Sequence, residues 1–256
     1  MPRSAAGMAW LGAGLGALVA LIAFAPAAWL AKGIQSATSG HVLLADAQGS
    51  IWRGSAQLFL TGGEGTQDAS SLPGRMHWQL APSWRGLNMR MELPCCAPQP
   101  VQLALTPGWQ RAGLLVNATA VNLPAQWLSG LGAPWNTLDP RGQLTLSATG
   151  LKMDWAAGRV ALQGAAQLDM LEMSSRLSTL SPLGDYRLQL SGGDVPAINL
   201  QTLQGALQLS GSGQVVGSRI RFSGEASAAQ GSEAALGNVL NIIGRRQGAK
   251  SLIRLG

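Results

Sequence analysis

The chain has 256 residues, of which 46% are hydrophobic and 12% are charged, against ~25% charged residues in ordinary soluble domains. This apolar content excludes a disordered chain, and two cysteines exclude both a disulfide-rich scaffold and a zinc site with four cysteine ligands. The formal net charge is +6, but the 15 arginines and three lysines are scattered along the chain, and aromatic residues do not interleave with the basic C-terminal end. We therefore expect no nucleic-acid partner.

The N-terminal segment predicts a membrane anchor. Residues 5–31 contain no charged side chain and lie between Arg3 and Lys32. About 20 helical residues already cross a hydrocarbon core of ~30 Å, and Trp10 and Trp29 are spaced to lie at its two interfaces. We expect residues 1–4 to be a short cytoplasmic tail, residues 5–31 to be an uncleaved transmembrane helix, and residues 32–256 to be an exported domain.

A cleaved signal peptide is the alternative to an anchor. Residues 25–27 (Ala-Pro-Ala) resemble a cleavage site after an apolar stretch, but this stretch is longer than the ~7–15 residues of a usual signal peptide. Both interpretations place the rest of the chain outside the cytoplasm. Gly12 and Gly16 form a pattern that lets membrane helices approach closely, although glycine is common in membrane spans without such pairing.

After Lys32 the hydrophobic pattern changes to a period of two, broken by Gly, Pro and Asn, which predicts short strands with one apolar and one polar face. Clear examples are residues 101–105, 143–147 and 186–190. One exception is residues 124–128, which predict a single helical turn.

The second exception is a C-terminal segment with helical spacing. Residues 233–246 carry apolar side chains at positions 236, 239, 240 and 243. Arg245 and Arg246 would lie near the C-terminal end of this helix, where its dipole favours cations.

An internal repeat predicts duplicated two-strand units. Residues 142–150 read Gly-x-Leu-x-Leu-Ser-x-x-Gly, and the same pattern returns at residues 205–213. A similar second strand follows each copy, at residues 159–166 and 219–226. Two such copies indicate repeated β-units that pack side by side.

Trp52 lies near a further segment that resembles the second half of the repeat, residues 51–56. Gly49 and Gly54 flank this tryptophan and leave room for an indole ring. We therefore expect Trp52 to be a buried structural residue in a strand.

The search for catalytic chemistry finds little. The two histidines are His41, at an expected boundary between loop and strand, and His77, inside a strand and facing solvent or completing the sheet surface. The 12 acidic residues form no close pair suited to glycoside hydrolysis, and no phosphate-binding loop or dinucleotide fingerprint is present. We expect no enzyme, no cofactor and no metal site.

Cys95 and Cys96 are adjacent in a segment framed by prolines. Consecutive Cα atoms lie 3.8 Å apart, below the usual ~4.4–6.8 Å of a disulfide, so a vicinal bridge would be a strained ring. An oxidising compartment permits such a bridge. Two free thiols, or a bond to another chain, are the alternatives.

The basic C-terminal end is the one charge cluster of the sequence. It contains Arg245, Arg246, Lys250 and Arg254. These side chains are candidates for contact with an acidic partner or with anionic lipid. The alternative is a solvated helix end that complements its own dipole.

Four stretches of the chain carry a family resemblance. They read GSIWRGSAQL (49–58), WQLAP followed by GL (78–82 and 86–87), LPAQWLSGLGAPWNTL (123–138) and LNIIGRRQGAKS (240–251). The third stretch is the most specific, and together the four span most of the chain after residue 32. In this order they resemble protein N of the bacterial type II secretion system.

This resemblance implies an inner-membrane protein with a periplasmic domain, an accessory part of the machine that moves folded proteins across the outer membrane. The family is also similar to AsmA-like envelope proteins, which implies a curved, groove-like sheet. The expected fold is therefore mainly β, with an N-terminal transmembrane helix, a curved antiparallel β-sheet built from duplicated two-strand units, and a short C-terminal helix. The family implies no catalytic residues, and Cys95–Cys96 does not map onto its pattern.

Two non-enzymatic functions remain open at this stage. The first is a structural component that binds other secretion proteins. The second, from the AsmA-like similarity, is a groove that binds or handles lipid. Alternating strands suit both, and a periplasmic hydrolase is disfavoured because no base is placed beside a nucleophile.

Overall fold

The structure, a computed structural model, describes residues 3–109, 111–156, 159–217 and 219–256. The helices are α1 (Arg3–Ala23), α2 (Ala27–Ala37), the 3-10 helix η1 (Ala125–Leu131), α3 (Trp135–Leu138) and α4 (Glu233–Ile243). The strands are β1 (Val42–Gly49), β2 (Arg53–Thr61), β3 (Ala69–Ser71), β4 (Met76–Ser83), β5 (Gly86–Glu92), β6 (Val101–Gly108), β7 (Arg111–Pro124), β8 (Pro140–Ala156), β9 (Arg159–Ser175), β10 (Gly184–Gly193), β11 (Ala197–Gly205), β12 (Leu207–Val216), β13 (Arg219–Ala228), β14 (Arg245–Gln247) and β15 (Lys250–Leu255).

Across the described residues the fifteen strands form one open antiparallel sheet. From β4 to β13 each strand pairs with the next along the chain, so this region is a continuous meander of hairpins. Two departures occur at the ends: β3 pairs only with β2, and β15 lies between β13 and the edge strand β14. The prediction of a mainly β, antiparallel fold is confirmed.

The register gives the sheet one apolar and one polar face. On the apolar face a row of direct cross-strand neighbours runs from β8 to β11 through Leu146, Leu168, Leu188 and Leu200. The next row lies on the opposite face, because successive residues of a strand point to opposite sides. It contains Thr145, Asp169, Arg187 and Gln201.

Each copy of the sequence repeat forms one hairpin, β8–β9 in the first case and β12–β13 in the second. The two hairpins differ in register. In the second hairpin Gly213 pairs with Phe222, whereas Leu162, the counterpart of Phe222, pairs with Met153. The first copy has eleven residues between Gly150 and Leu162, against eight between Gly213 and Phe222 in the second. An irregularity between Thr149 and Lys152 shifts the register of β8–β9 further, and such bulges bend the strand that carries them.

Helix α2 covers the first of two hydrophobic cores. The core is built from β1 to β9 and includes Ala56, Met76 and Trp78 as buried residues. Leu30 and Ile34 of α2 pack against it. Helix α2 therefore shields the β1–β2 end of this core from water.

Helix α4 covers the second core. Leu236, Val239 and Leu240 are at most 1% exposed and pack against Tyr186 and Leu207. Fully burying one leucine side chain stabilises a protein by ~1.5–3 kcal/mol, so these contacts hold the helix on the sheet.

The N-terminal segment differs from the prediction of one helix over residues 5–31. Helix α1 ends at Ala23 and α2 begins at Ala27, with Pro26 as its N-cap and Ala25 and Ala27 buried. Pro26 lacks the amide hydrogen that a continuous helix needs, and Ile51 donates instead to the carbonyl oxygen of Ala25 at 2.9 Å. Residues 27–31 therefore belong to the β domain.

The described residues contain no helix that meets the length and hydropathy needed to cross a membrane. Of the predicted tail, residues 1–2 lie outside the described residues.

The prediction that Trp52 is a buried strand residue is wrong. Trp52 lies in the bend between β1 and β2, is only half-buried, and donates from Nε1 to the carbonyl oxygen of Ile22 at 2.9 Å. The buried indole is that of Trp78, which is 1% exposed. Gly54 does make room for an indole, since a Cβ there would lie 2.4 Å from the Trp78 ring.

The two predicted helical exceptions are present, and the boundaries of both differ from the prediction. The turn predicted over residues 124–128 is the 3-10 helix η1, which begins one residue later and extends to residue 131. Helix α4 carries the expected apolar positions but ends at Ile243. Arg245 and Arg246 lie on β14 instead, because Gly244 is extended and lies close to the backbone of Leu252. A Cβ on Gly244 would be 2.5 Å from the carbonyl oxygen of Leu252.

Candidate interaction surface

The two histidines occupy the positions expected of ordinary surface residues. His41 precedes β1, is exposed, and has its Nδ1 3.1 Å from the carbonyl oxygen of Thr61. His77 is exposed on the polar side of β4. Among the described residues, no group of three or more His, Cys, Asp or Glu side chains is arranged to hold a metal ion.

Strand register brings together a row that the sequence analysis missed. Ser55, His77 and Glu92 are direct cross-strand neighbours on β2, β4 and β5. Nucleophilic catalysis needs a hydrogen bond between nucleophile and base. Ser55 Oγ instead accepts from the Arg75 guanidinium at 3.3 Å, and Glu92 lies 3.4 Å from Arg90. The row therefore has the residue types of a Ser-His-acid catalytic triad, but the described residues do not form the hydrogen bonds that such a triad needs.

The cysteine pair lies in the connection between β5 and β6. Cys95 and Cys96 form a disulfide between neighbouring residues in the structure. Cys96 is buried in the first core, and its carbonyl oxygen accepts from the amide of Asn122 at 2.7 Å, whereas Cys95 is exposed. The pair therefore fixes the connection against β7.

The four basic residues of the C-terminal end do not form one cluster. The strands β14 and β15 carry them, so the expectation of a solvated helix end is wrong. Lys250 donates to Glu225 at 2.9 Å and is neutralised by it. Arg245, Arg246 and Arg254 instead line one cleft at the edge of the sheet.

This cleft, which we call the C-terminal cleft, combines cationic and apolar walls. Its volume is about 520 Å³. Besides the three arginines it is lined by Ile243, Gly244, Gln247, Leu252, Ile253 and Leu255. Such a surface suits a partner segment that carries both apolar and acidic side chains.

The backbone beside the cleft is only partly paired. Strand β15 pairs along most of its length with β13, but on its other side β14 pairs only with residues 250–252. Residues 253–255 therefore have no strand on that side among the described residues. An edge of this kind can accept an added strand from another chain.

A second candidate surface lies on the apolar face between the two cores. Leu146, Leu168 and Leu188 are neighbours in one row, yet they belong to neither buried cluster. Leu146 is 37% exposed, and the other two are half-buried. The apolar face is thus packed at the two cores and is more open between them.

The polar face opposite this row is held by a bidentate ion pair. Arg187 donates to the two carboxylate oxygens of Asp169 at 2.6 and 3.1 Å, and Gln167 adds a hydrogen bond at 2.8 Å. The Arg187 guanidinium holds the pKa of Asp169 below its usual value, although partial burial opposes this effect. The pair stabilises the centre of the meander.

The stretch over residues 123–138 forms a wedge of two short helices, η1 and α3. Gly130 packs so closely on β2 that a Cβ would lie 2.3 Å from the carbonyl oxygen of Leu60. Asn136 donates to Asp68 at 3.1 Å, and Arg176 donates to the carbonyl oxygens of Asn136 and Thr137. The most specific part of the family resemblance therefore joins β2 to the connection after β9.

Comparison with known proteins identifies one family. A family model described as "Type II secretion system (T2SS), protein N" matches residues 40–252, most of the chain and nearly the whole sheet. No curated protein and no solved structure matches the chain. The chain therefore belongs to the protein N family of the type II secretion system.

Proposed function

We propose that this chain is an accessory inner-membrane component of the type II secretion system and acts by contacts with other secretion proteins during export of folded proteins across the outer membrane. Family membership over residues 40–252 supports a role in this machine. The described histidines and acidic residues suggest no catalytic site, so we propose a function through surfaces.

Attachment to the inner membrane would use helix α1. Its 21 residues rise about 30 Å at ~1.5 Å per residue, close to the thickness of a hydrocarbon core. Large apolar side chains are exposed on the helix, including Trp10, Leu15, Leu18, Val19 and Leu21. Such a surface needs an apolar environment, which lipid supplies, and the sheet would then lie in the periplasm.

The single observation that supports a protein contact is the half-paired edge of β15 beside the C-terminal cleft. A partner strand would pair with the free backbone at residues 253–255. Its carboxylates would meet Arg245, Arg246 and Arg254. Main-chain pairing would supply affinity, and the arginines would select an acidic partner.

Site-specific photo-crosslinking in intact membranes tests this contact. A photoreactive residue at Gln247, which lines the cleft, should form adducts with other secretion proteins. The matched control is Gln208, an exposed residue on the polar side of β12, which should give none. The triple variant R245Q/R246Q/R254Q should reduce the adducts at Gln247. Equal adducts at both positions, or no secretion protein at Gln247, would contradict the proposal.

A lipid-handling groove is the second candidate, and the exposed row of Leu146, Leu168 and Leu188 favours it. Phospholipid chains bound there would be recovered with the purified protein and measured by mass spectrometry. Leu146→Lys places a charge on the apolar face and should remove this lipid. Ser147→Lys, one residue further on and on the opposite face, is the control. Lipid recovery that is the same for both variants would reject the groove.

A further inference from the structure

Five short turns of the meander lie at one end of the strands, whereas the short β11–β12 connection through Ala206 lies at the other end. In an antiparallel sheet alternate connections lie at the same end. The turns at this end join β4 to β5, β6 to β7, β8 to β9, β10 to β11 and β12 to β13. The C-terminus also ends here, because Leu255 pairs with Phe222 near the start of β13. We call this end the hairpin edge.

Helix α1 leaves the sheet at the hairpin edge. Its C-terminal end contacts the bend between β1 and β2, where Trp52 donates to the carbonyl oxygen of Ile22. Pro26 forms a bridge with Ser50 in the same bend. Arg53, which follows the bend, pairs with Gln79 in the middle of β4. The amide of Leu80 donates to the carbonyl oxygen of Trp52 at 2.7 Å, so the bend lies toward the β4–β5 turn. The apolar helix and the five turns are therefore on the same side of the domain.

Two tryptophan side chains project from this edge with almost no burial against the described residues, and a third is partly exposed. Trp84 and Trp109 are 102% and 94% exposed, and Trp155 is 39% exposed near the β8–β9 turn. Aromatic side chains of this size are usually buried in a protein core or an interface. An indole has an apolar body and a polar N–H group, so the headgroup region of a bilayer suits it better than water does.

Arginines accompany the tryptophans at the same turns. Arg85 lies in the β4–β5 turn, and Arg111, Arg159 and Arg219 are the first residues of β7, β9 and β13. All four side chains are exposed, and in the described part of the chain none forms an ion pair. Asp154, the acidic residue beside Trp155, is bound by Lys152 at 2.8 Å. Asp194 in the β10–β11 turn is also exposed, but four arginines outweigh this one carboxylate, so the edge carries excess positive charge.

We propose that the hairpin edge binds the surface of an anionic phospholipid bilayer, with Trp84 and Trp109 in the headgroup region and the four arginines on lipid phosphates. This inference rests on the proposed membrane position of α1. The strands would then stand on the membrane from which α1 emerges. Arginine matches phosphate geometry, and anionic leaflets attract basic residues close to their surface.

Quenching of tryptophan emission by brominated lipid tests the proposal on the full chain. The protein is placed in nanodiscs of brominated phosphatidylcholine, with or without phosphatidylglycerol. Three variants divide the signal: W10F reports on α1, W84F/W109F reports on the hairpin edge, and W135F reports on the opposite end of the strands. W84F/W109F should lose a large part of the quenched emission in anionic discs, whereas W135F should lose none.

The variants separate failure of this inference from failure of the membrane attachment. If W10F loses quenched emission but W84F/W109F does not, α1 is in lipid and the hairpin edge is not, which overturns the inference. If W10F loses none, the proposed attachment through α1 fails. An edge that serves a protein partner or a second copy of the chain would also leave W84F/W109F without loss.

The arginine contribution is tested by charge and by salt. The variant R85Q/R111Q/R159Q/R219Q should reduce the quenching that depends on Trp84 and Trp109 in anionic discs. R90Q/R141Q/R176Q/K250Q removes the same charge from exposed positions away from the edge and should not reduce it. Raising salt from ~0.1 to ~1 M shortens the Debye length from ~10 to ~3 Å and should reduce this quenching roughly twofold. Equal quenching by both charge variants would overturn the role of the arginines.

Discussion

The two ends of the strands differ in how the chain connects them. At the hairpin edge the turns are short, and Trp84, Trp109 and Val195 are exposed there. At the opposite end the connections are longer and folded, except for β11–β12, which Ala206 alone joins. They contain the Cys95–Cys96 disulfide, the wedge of η1 and α3, and helix α4. We call this the covered end.

This difference shows where the stability of an open sheet comes from. A sheet with one apolar face needs a second layer, and α2 and the connections at the covered end supply it. Leu236 and Leu240 of α4 and Ala125 of η1 are fully buried. In the part of the chain that the structure describes, no helix covers the five turns of the hairpin edge, so its apolar side chains remain available for an external surface. Stability and binding are thereby assigned to opposite ends of the same strands.

Substitutions in one strand and the turn that follows it test this difference with the largest expected effect. Trp78→Ala should cost about 3–5 kcal/mol, because it removes a buried indole and leaves a cavity over Gly54. Trp84→Ala, six residues further on in the turn, should change the free energy of unfolding by less than ~0.5 kcal/mol. Denaturant unfolding of both variants measures the difference, and equal destabilisation would break the comparison.

A smaller effect is expected for a buried hydrogen bond at the covered end. Ser251 is fully buried, and its Oγ donates to the carbonyl oxygen of Leu240 near the C-terminus of α4 at 2.6 Å. Ser251→Ala leaves this carbonyl without its donor and should cost ~1–3 kcal/mol. Ser212→Ala, at an exposed position on β12, is the control and should be near neutral. A neutral Ser251→Ala would mean that another donor replaces the hydroxyl.

The smallest effect is expected for two ion pairs. Asp169→Asn should cost about 1 kcal/mol, because Arg187 binds its carboxylate with two hydrogen bonds at a largely shielded position. Asp154→Asn disrupts the more exposed pair with Lys152 near the hairpin edge and should cost less.

The pH dependence of Asp169 follows from its lowered pKa. Because Arg187 binds the ionised form, the stabilisation is fully present above the unfolded pKa of ~3.9 and is lost as the pH falls through the lower folded pKa. The stability of Asp169→Asn should therefore approach that of the unmodified protein at strongly acidic pH. A difference that persists unchanged there would contradict this explanation.

Local patterns were sufficient to predict the elements of the fold. Alternation at residues 143–147 and 186–190 identified strands, and the spacing of Leu236, Val239 and Leu240 identified α4. Each of these predictions uses only residues of one segment, because burial of one face gives a strand or a helix its characteristic hydrophobic period. Helix α4 was predicted too long because the close approach of Gly244 to Leu252 is a tertiary contact.

Features that depend on contacts between segments were not predictable from the sequence. Gly54 indicated space for an indole, but only the pairing of β2 with β4 shows that Trp78 occupies it. In the same way, separate strands do not show that Arg245, Arg246 and Arg254 share a cleft or that Lys250 is bound by Glu225. The break between α1 and α2 was also missed, although Pro26 disfavours a continuous helix at that point.

Export by the bacterium that encodes this chain tests the central claim most directly. Deletion of the gene should lower the amount of folded substrate proteins released through the type II system, and the unmodified gene should restore it. R245Q/R246Q/R254Q should restore export less well than R90Q/R141Q at equal protein level, because only the first variant alters the C-terminal cleft. If deletion leaves export intact but changes outer-membrane lipid composition, the account is contradicted and the lipid groove replaces it.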